Sequence, residues 1–208
     1  FSSSFEGEAI ALIMASWVES GIQGPNSEDW RVPVSELEAR LEALSFALQQ
    51  NSLSGVFVQH PVDLYYFAGG RQNATLFVPA KGTKASIEAG GDGPVLFVRR
   101  SISRAIFEAG EGDAPFEIQE FPRMKNLVEV LRSRGVTKAP ALQYGEIPAS
   151  FIQRFIDTLS SLGVCEDATG IIHSIREVKS NWEVEQMEIS AVIQGKMFDA
   201  VEQNLAEG

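Results

Sequence analysis

From Val32 onward the sequence alternates short runs of β-branched and aromatic residues with longer stretches whose apolar residues recur at three- and four-residue intervals. Few folds accommodate that alternation, because each run must bury a face against its neighbours, and strands alternating with helices of this length point to layers. Gly55-Val-Phe-Val-Gln59, Ala74 to Pro79 and Pro94 to Val98 read as three early strands, separated by segments rich in Gly, Pro and Asp. Phe116 to Phe121, Ala139 to Tyr144 and Val164 to Asp167 read as later ones. Between them lie amphipathic helices. Leu37, Leu41, Leu44 and Leu48 follow a Ser35/Glu38 capping-box spacing, and Ile102, Ala105 and Ile106 form a short helix. Met124, Leu127, Val128 and Leu131 share a face ended by Gly135, and Phe151, Ile152, Phe155, Leu159 and Leu162 follow Pro148 and stop at Gly163. Gly170 to Ile175 reads as a connector. A second capping box, Ser180/Glu183, opens a long helix through Met187, Ala191, Gln194, Phe198, Val201 and Leu205. The expected fold is an α/β layered domain with a mixed, largely parallel sheet flanked by helices.

The expected division is an N-terminal extension over 1–30, a domain over 31–175, and a hinge with a connecting helix over 176–208. In the extension, the apolar run Ala9 to Val18 is half the roughly 20 residues a membrane-spanning helix needs, and Glu6 and Glu8 precede it, so it reads as a short helix and not a signal peptide. With 44% hydrophobic residues in 208, the rest can bury a core of its own. Seventeen basic against 28 acidic residues leave a net charge of −11, the wrong sign for neutralising nucleic acid or an anionic membrane surface. Cys165 is the one cysteine, which excludes an intrachain disulfide, suits a reducing cytoplasm and reads as a buried hydrophobe. His60 and His173 are the only histidines and the aspartates are scattered singly, so neither a zinc cluster nor another metal site is visible. Gly90-Gly91-Asp92-Gly93 precedes a strand instead of opening a helix, which makes it a hairpin turn and not a phosphate loop.

Two side chains stand out as candidates for binding. His60 ends the first strand, the end at which open α/β sheets present functional groups, although a strand-end imidazole bonded to local backbone is the simpler reading. Arg71 follows Gly69-Gly70 and the aromatics Tyr65, Tyr66 and Phe67, a setting suited to carboxylate recognition. A plain solvent-exposed arginine is the alternative there. His173, in the apolar connector, reads as structural.

Two segments carry a family resemblance. Gly55 to Gly70 (GVFVQHPVDLYYFAGG) places a strand before an Asp, an aromatic pair and a glycine, and Ile175-Arg-Glu-Val-Lys-Ser-Asn-Trp-Glu183 follows the pattern R-x-x-K-S-x-x-E. At this separation, with strands and helices alternating between them, they resemble the N-terminal domain of the creatinase/prolidase/Xaa-Pro aminopeptidase family over roughly Arg31 to Gly208. The residues alone also allow a purely structural reading of the second segment, with Ser180 and Glu183 capping a helix and Arg176 and Lys179 pairing with carboxylates.

The resemblance implies that the chemistry belongs to a C-terminal "pita-bread" domain, where two Asp, one His and two Glu hold two divalent ions (Mn, Co or Zn) for hydrolysis of Xaa-Pro peptides or a small amidino acid. None of those five ligands lies in this chain. The chain alone is therefore expected to hold no cofactor and to be no enzyme, its parent being a metallopeptidase. The resemblance further implies a homodimer in which this domain lends residues to the partner's substrate pocket. Arg71, Tyr66 and His60 are the substrate-binding candidates, and the chain's own catalytic domain and a peptide or small-molecule substrate are the other partners. An exposed apolar stripe on the last helix (Met187, Ala191, Phe198, Val201, Leu205) points to self-association as well. The alternative is a freestanding binding or scaffolding module with no hydrolase attached.

Overall fold

The structure, a computed structural model, describes residues 31–110 and 112–205; the helix expected near Ala9 lies outside them. In chain order the elements are α1 (Val34–Gln50), β1 (Gly55–Val58), α2 (Pro61–Ala68), β2 (Ala74–Pro79), β3 (Val95–Val98), α3 (Ile102–Glu108), β4 (Glu117–Glu120), α4 (Leu127–Ser133), α5 (Ala149–Leu159), α6 (Thr169–Glu177) and α7 (Asn181–Asn204), with single 3₁₀ turns at Ile87–Ala89, Met124–Asn126 and Ser160–Leu162. Residues 31–177 form one compact body, and the described part of a second is 178–205.

The four strands form one mixed sheet in the order β1-β2-β3-β4. β1 with β2 and β2 with β3 run antiparallel, while β3 and β4 run parallel. Beyond β1 the sheet is continued in parallel by two isolated bridges, Val56 with Ala141 and Leu142 with Asp167. Every residue of β1, β2 and β3 is buried, which explains why their sequences are continuously apolar instead of alternating. One face carries Phe57, Phe77 and Phe97 into a cluster with Leu127, Leu131, Phe155 and Leu159 from α4 and α5. The Phe57 ring sits 5.5 Å from both Phe77 and Phe155. α1, its Leu37, Leu41, Leu44 and Leu48 all buried, packs on β1, β2, α2 and α6.

Four local expectations are corrected. The Ser35/Glu38 capping box does not form: α1 starts two residues earlier, with Pro33 at the cap position and its carbonyl accepting the amides of Glu36 (3.0 Å) and Leu37 (3.1 Å). Proline pre-sets the required φ, so no side-chain cap is used. Ala139 to Tyr144 contributes bridges and not a strand, because Pro140 has no N–H to give to a ladder. Val164 to Asp167 is likewise reduced to the bridge at Asp167, with Val164 82% exposed. Gly170 to Ile175 is no connector but part of α6, at whose start the Asp167 carboxylate accepts the Thr169 amide (2.9 Å).

The remaining punctuation follows the sequence. Gly69 ends α2 at φ 69° and Gly135 follows α4 at φ 83°. The 90–93 turn closes the antiparallel β2–β3 connection, and at Gly91 a Cβ would lie 2.3 Å from the Lys84 carbonyl oxygen, so no larger residue fits. The second capping box is formed: the Ser180 amide donates to Glu183 Oε2 (3.0 Å) and the Glu183 amide to Ser180 Oγ (3.1 Å). Along α7, Met187, Phe198 and Val201 are each more than half exposed, as is Leu205 just past it. No described helix is long and apolar enough to cross a membrane.

Candidate functional site

The end of β1 leads directly into α2, and this junction organises the polar residues of the domain. Pro61 at the first position of α2 turns the chain, which places Asp63 in the first helical turn and fully buried. A buried carboxylate needs partners on both oxygens. Asp63 Oδ1 accepts from Arg176 Nη1 of α6 (2.6 Å), and Oδ2 accepts from Gln143 Nε2 (2.6 Å) and His60 Nδ1 (3.2 Å). The Gln143 carbonyl oxygen in turn accepts the amides of Gln59 (2.7 Å) and His60 (3.1 Å), supplying the bonds that the strand interrupted at Pro140 does not. Glu146 lies between the two histidines, 2.9 Å from His173 Nε2 and 3.7 Å from His60 Nε2.

A second anchor stands beside this one. Burial alone would raise the Asp167 carboxyl, but the hydroxyl (2.6 Å) and amide of Thr169 and the amide of Tyr144 (3.2 Å) outweigh it and hold the group below its ordinary value of 3.8. Hub and anchor together clamp α6 onto the ends of the sheet. They do not make a metal centre: among the described residues no three His, Cys, Asp or Glu side chains are arranged to hold an ion. Cys165 is 4% exposed and burial pushes its thiol up to about 11, which leaves it inert as a nucleophile.

A cavity of about 620 Å³ opens between the start of α2 and the segment leading into β2, lined by Gln59, Pro61, Val62, Leu64, Tyr65 and residues 71–74. Gln59 is only 8% exposed, yet neither Oε1 nor Nε2 of its side chain has a hydrogen-bond partner among the described residues. Leaving such a group unpaired costs about 1–3 kcal/mol, so a polar occupant is favoured. Arg71 places its guanidinium carbon 5.3 Å from the centre of the Tyr65 ring. Its backbone is held by Glu108, whose Oε2 accepts the Arg71 amide and Gln72 Nε2 (3.0 Å each) while Oε1 accepts Arg104 Nε (2.9 Å). Burial works against the Glu108 charge, but these bonds prevail and keep its carboxyl below 4.5. The Arg71 guanidinium faces no carboxylate within 4.0 Å among the described residues. A cation, an aromatic face and an unpartnered carboxamide together suit an occupant bearing a carboxylate and an amide.

The three sequence candidates thus separate. Arg71 lines the cavity, with Tyr65 as its aromatic neighbour. Tyr66 does not line it: its ring lies under the Arg40 guanidinium (4.0 Å) and its carbonyl accepts Arg40 Nη1 (2.8 Å). His60 belongs to the Asp63 hub, which approaches Tyr66 through Arg176, 5.9 Å from that ring. Sequence reasoning passed over Gln59, Asp63, Gln143 and Glu146; the first two flank His60 in Gln59-His60-Pro61-Val62-Asp63, and nothing local marks the others.

The Creatinase/Prolidase N-terminal domain model matches residues 40–178. The chain belongs to this family. Its sequence is similar to the Xaa-Pro dipeptidase of Pyrococcus furiosus, 23% identical over 172 residues, which are 83% of this chain and 44% of the relative. The creatinase/prolidase N-terminal fold is also found in the solved Xaa-Pro dipeptidase from Bacillus anthracis (TM-score 0.64, 12% identity, 83% of this chain and 44% of that one). It recurs in the Xaa-Pro aminopeptidase from Streptococcus thermophilus (TM-score 0.52, 16% identity, 67% of this chain and 98% of that one). The chain spans less than half the length of the curated relative it matches.

Proposed function

We propose that this chain is the non-catalytic N-terminal domain of a metallopeptidase acting on Xaa-Pro peptides, that it pairs with a second copy, and that it lends the Gln59–Arg71 cavity to the partner subunit's substrate pocket. The observation that carries this reading is the cavity itself. A peptide ending in proline offers a carboxylate to Arg71 and a tertiary-amide carbonyl, without an N–H, to the Gln59 carboxamide donor. Family membership and the activity named for the Pyrococcus furiosus relative support the substrate class. The two divalent ions belong in this reading to the catalytic domain, and this chain's residues act only by binding and orienting. Its single, buried cysteine supports a cytoplasmic setting.

Support for the pair comes from the exposed apolar residues Met187, Phe198, Val201 and Leu205. A net charge of −11 opposes association, but at 0.15 M salt the screening length is about 8 Å and only close charges count. Sedimentation equilibrium tests the pair: a dimer is expected at micromolar concentration, and a monomer persisting at about 100 μM in 0.5 M salt contradicts it.

The functional test is made on the complete reading frame. Hydrolysis of Xaa-Pro dipeptides, with Arg71→Gln raising KM about tenfold and leaving kcat nearly unchanged, is the expected result. A stop codon directly after Gly208 favours the second reading, a freestanding binding module.

A further inference from the structure

In a chain of net charge −11, two arginines stand beside one aromatic cluster at the end of the sheet without meeting a carboxylate. Arg99 is the residue after β3, and Phe121 the residue after β4. These strands are parallel, so both residues stand at carboxyl ends, where open α/β sheets receive ligands. The Arg99 guanidinium carbon lies 3.7 Å from the centre of the Phe121 ring and 5.7 Å from that of Phe151 on α5. One helical turn beyond Phe151 on α5 is Arg154. Burial first, and then the charge of Arg154, lower the pKa of Arg99.

Arg40, Arg104, Arg134 and Arg176 all meet carboxylates. Arg99 and Arg154, like Arg71, Arg100, Arg123 and Arg132, meet none within 4.0 Å among the described residues; what sets this pair apart is that Arg154 stands one turn from the Phe151 ring that Arg99 approaches. Asp157, on the same helix as Arg154, is bonded to Gln153 instead (2.7 Å). Adjacent like charges left uncompensated oppose folding, and such arrangements persist where a ligand supplies the missing charge. The aromatic packing holds Arg99 in place beforehand, so its fork is pre-organised.

We infer that Arg99 and Arg154 form an anion site at the carboxyl ends of β3 and β4 that takes a compact dianionic oxyanion, phosphate or a phosphomonoester. A dianion offers one charge to each guanidinium and enough acceptor oxygens for both forks, which a single carboxylate does not. The site shares no residue with the Gln59–Arg71 cavity and stands independently of the peptidase reading.

The test is calorimetric titration of the 208-residue chain with inorganic phosphate at neutral pH and constant ionic strength, with acetate and glycerol phosphate as further arms. Saturable phosphate binding is expected, weakened about tenfold by Arg154→Gln and retained in Arg154→Lys. Acetate is expected to bind at least about tenfold more weakly. Glycerol phosphate binding at least as tightly as phosphate marks a phosphomonoester as the ligand, and weaker binding marks the free ion; both support the site. Arg154 is exposed, so its replacement spares the core. In chloride alone, Arg154→Gln is expected to melt no lower than the parent, since a repulsion has been removed. Phosphate binding unchanged in Arg154→Gln, acetate binding as tightly as phosphate, or no phosphate binding beyond that of chloride would each overturn the inference.

Discussion

Arg176 Nη1 lies 2.6 Å from Asp63 Oδ1, which joins the R-x-x-K segment to a fully buried carboxylate 113 positions earlier in the chain. Through this contact the arginine of that segment holds the end of α6 against the β1–α2 junction. Removing Arg176 leaves the fully buried Asp63 charge without its cation, at a cost of about 3–5 kcal/mol. Asp63→Asn also sets an amide NH2 against one of two donors, Gln143 Nε2 or Arg176 Nη1. Urea unfolding is therefore expected to show Asp63→Asn and Arg176→Met each strongly destabilised, and the double variant less destabilised than their sum. An Asp63→Asn variant within about 0.5 kcal/mol of the parent would contradict the assignment of Asp63 as the hub.

The acid limb of stability follows from the lowered carboxyls. Asp167 and Glu108 titrate below 3.8 and 4.5, and so does Glu117, below 4.5, where hydrogen bonding to Arg134 is the leading cause. A folded-state value below the unfolded one means the folded chain releases its proton more readily. The resulting stability is complete above about pH 4.5 and is lost as pH falls through the folded values. Thr169→Val removes the hydroxyl bond to Asp167 and is expected to move the acid-unfolding midpoint to higher pH, followed by circular dichroism. An unchanged midpoint would show that Thr169 does not hold the charge.

What can be read from the sequence depends on where the determinants sit in the chain. β1, β2 and β3 are legible because burial on both faces demands unbroken apolar runs, and the Ser180/Glu183 box because both its members lie within one turn. The Ser35/Glu38 spacing is equally regular and misleads, since Pro33 starts the helix without a side-chain cap. Arg71 stands out from its setting. Its aromatic partner does not, because Tyr65 and Tyr66 are adjacent in sequence and only the helical turn of about 100° per residue sends one to the cavity and the other beneath Arg40. Gln143 and Glu146 reach the hub across some 80 residues, a distance over which no local pattern operates.

Cys165 provides a direct probe of the core. With its thiol buried and pushed up to about 11, labelling by a disulfide reagent at pH 8 is expected to proceed only as fast as the domain opens, and rapidly in denaturant. Stoichiometric labelling within seconds under native conditions would place Cys165 outside the core.

Gln59 and Arg71 together are proposed to receive the carboxyl end of a peptide, and on this the function of the domain turns. The most direct measurement is a nuclear magnetic resonance titration of the 208-residue chain with Ala-Pro, following the Gln59 side-chain amide and the Arg71 guanidinium. Both signals are expected to move together and saturate at millimolar ligand, with Arg71→Gln weakening binding about tenfold and Arg154→Gln leaving it unchanged. Stationary signals up to about 50 mM, or movement indifferent to Arg71→Gln, would contradict it.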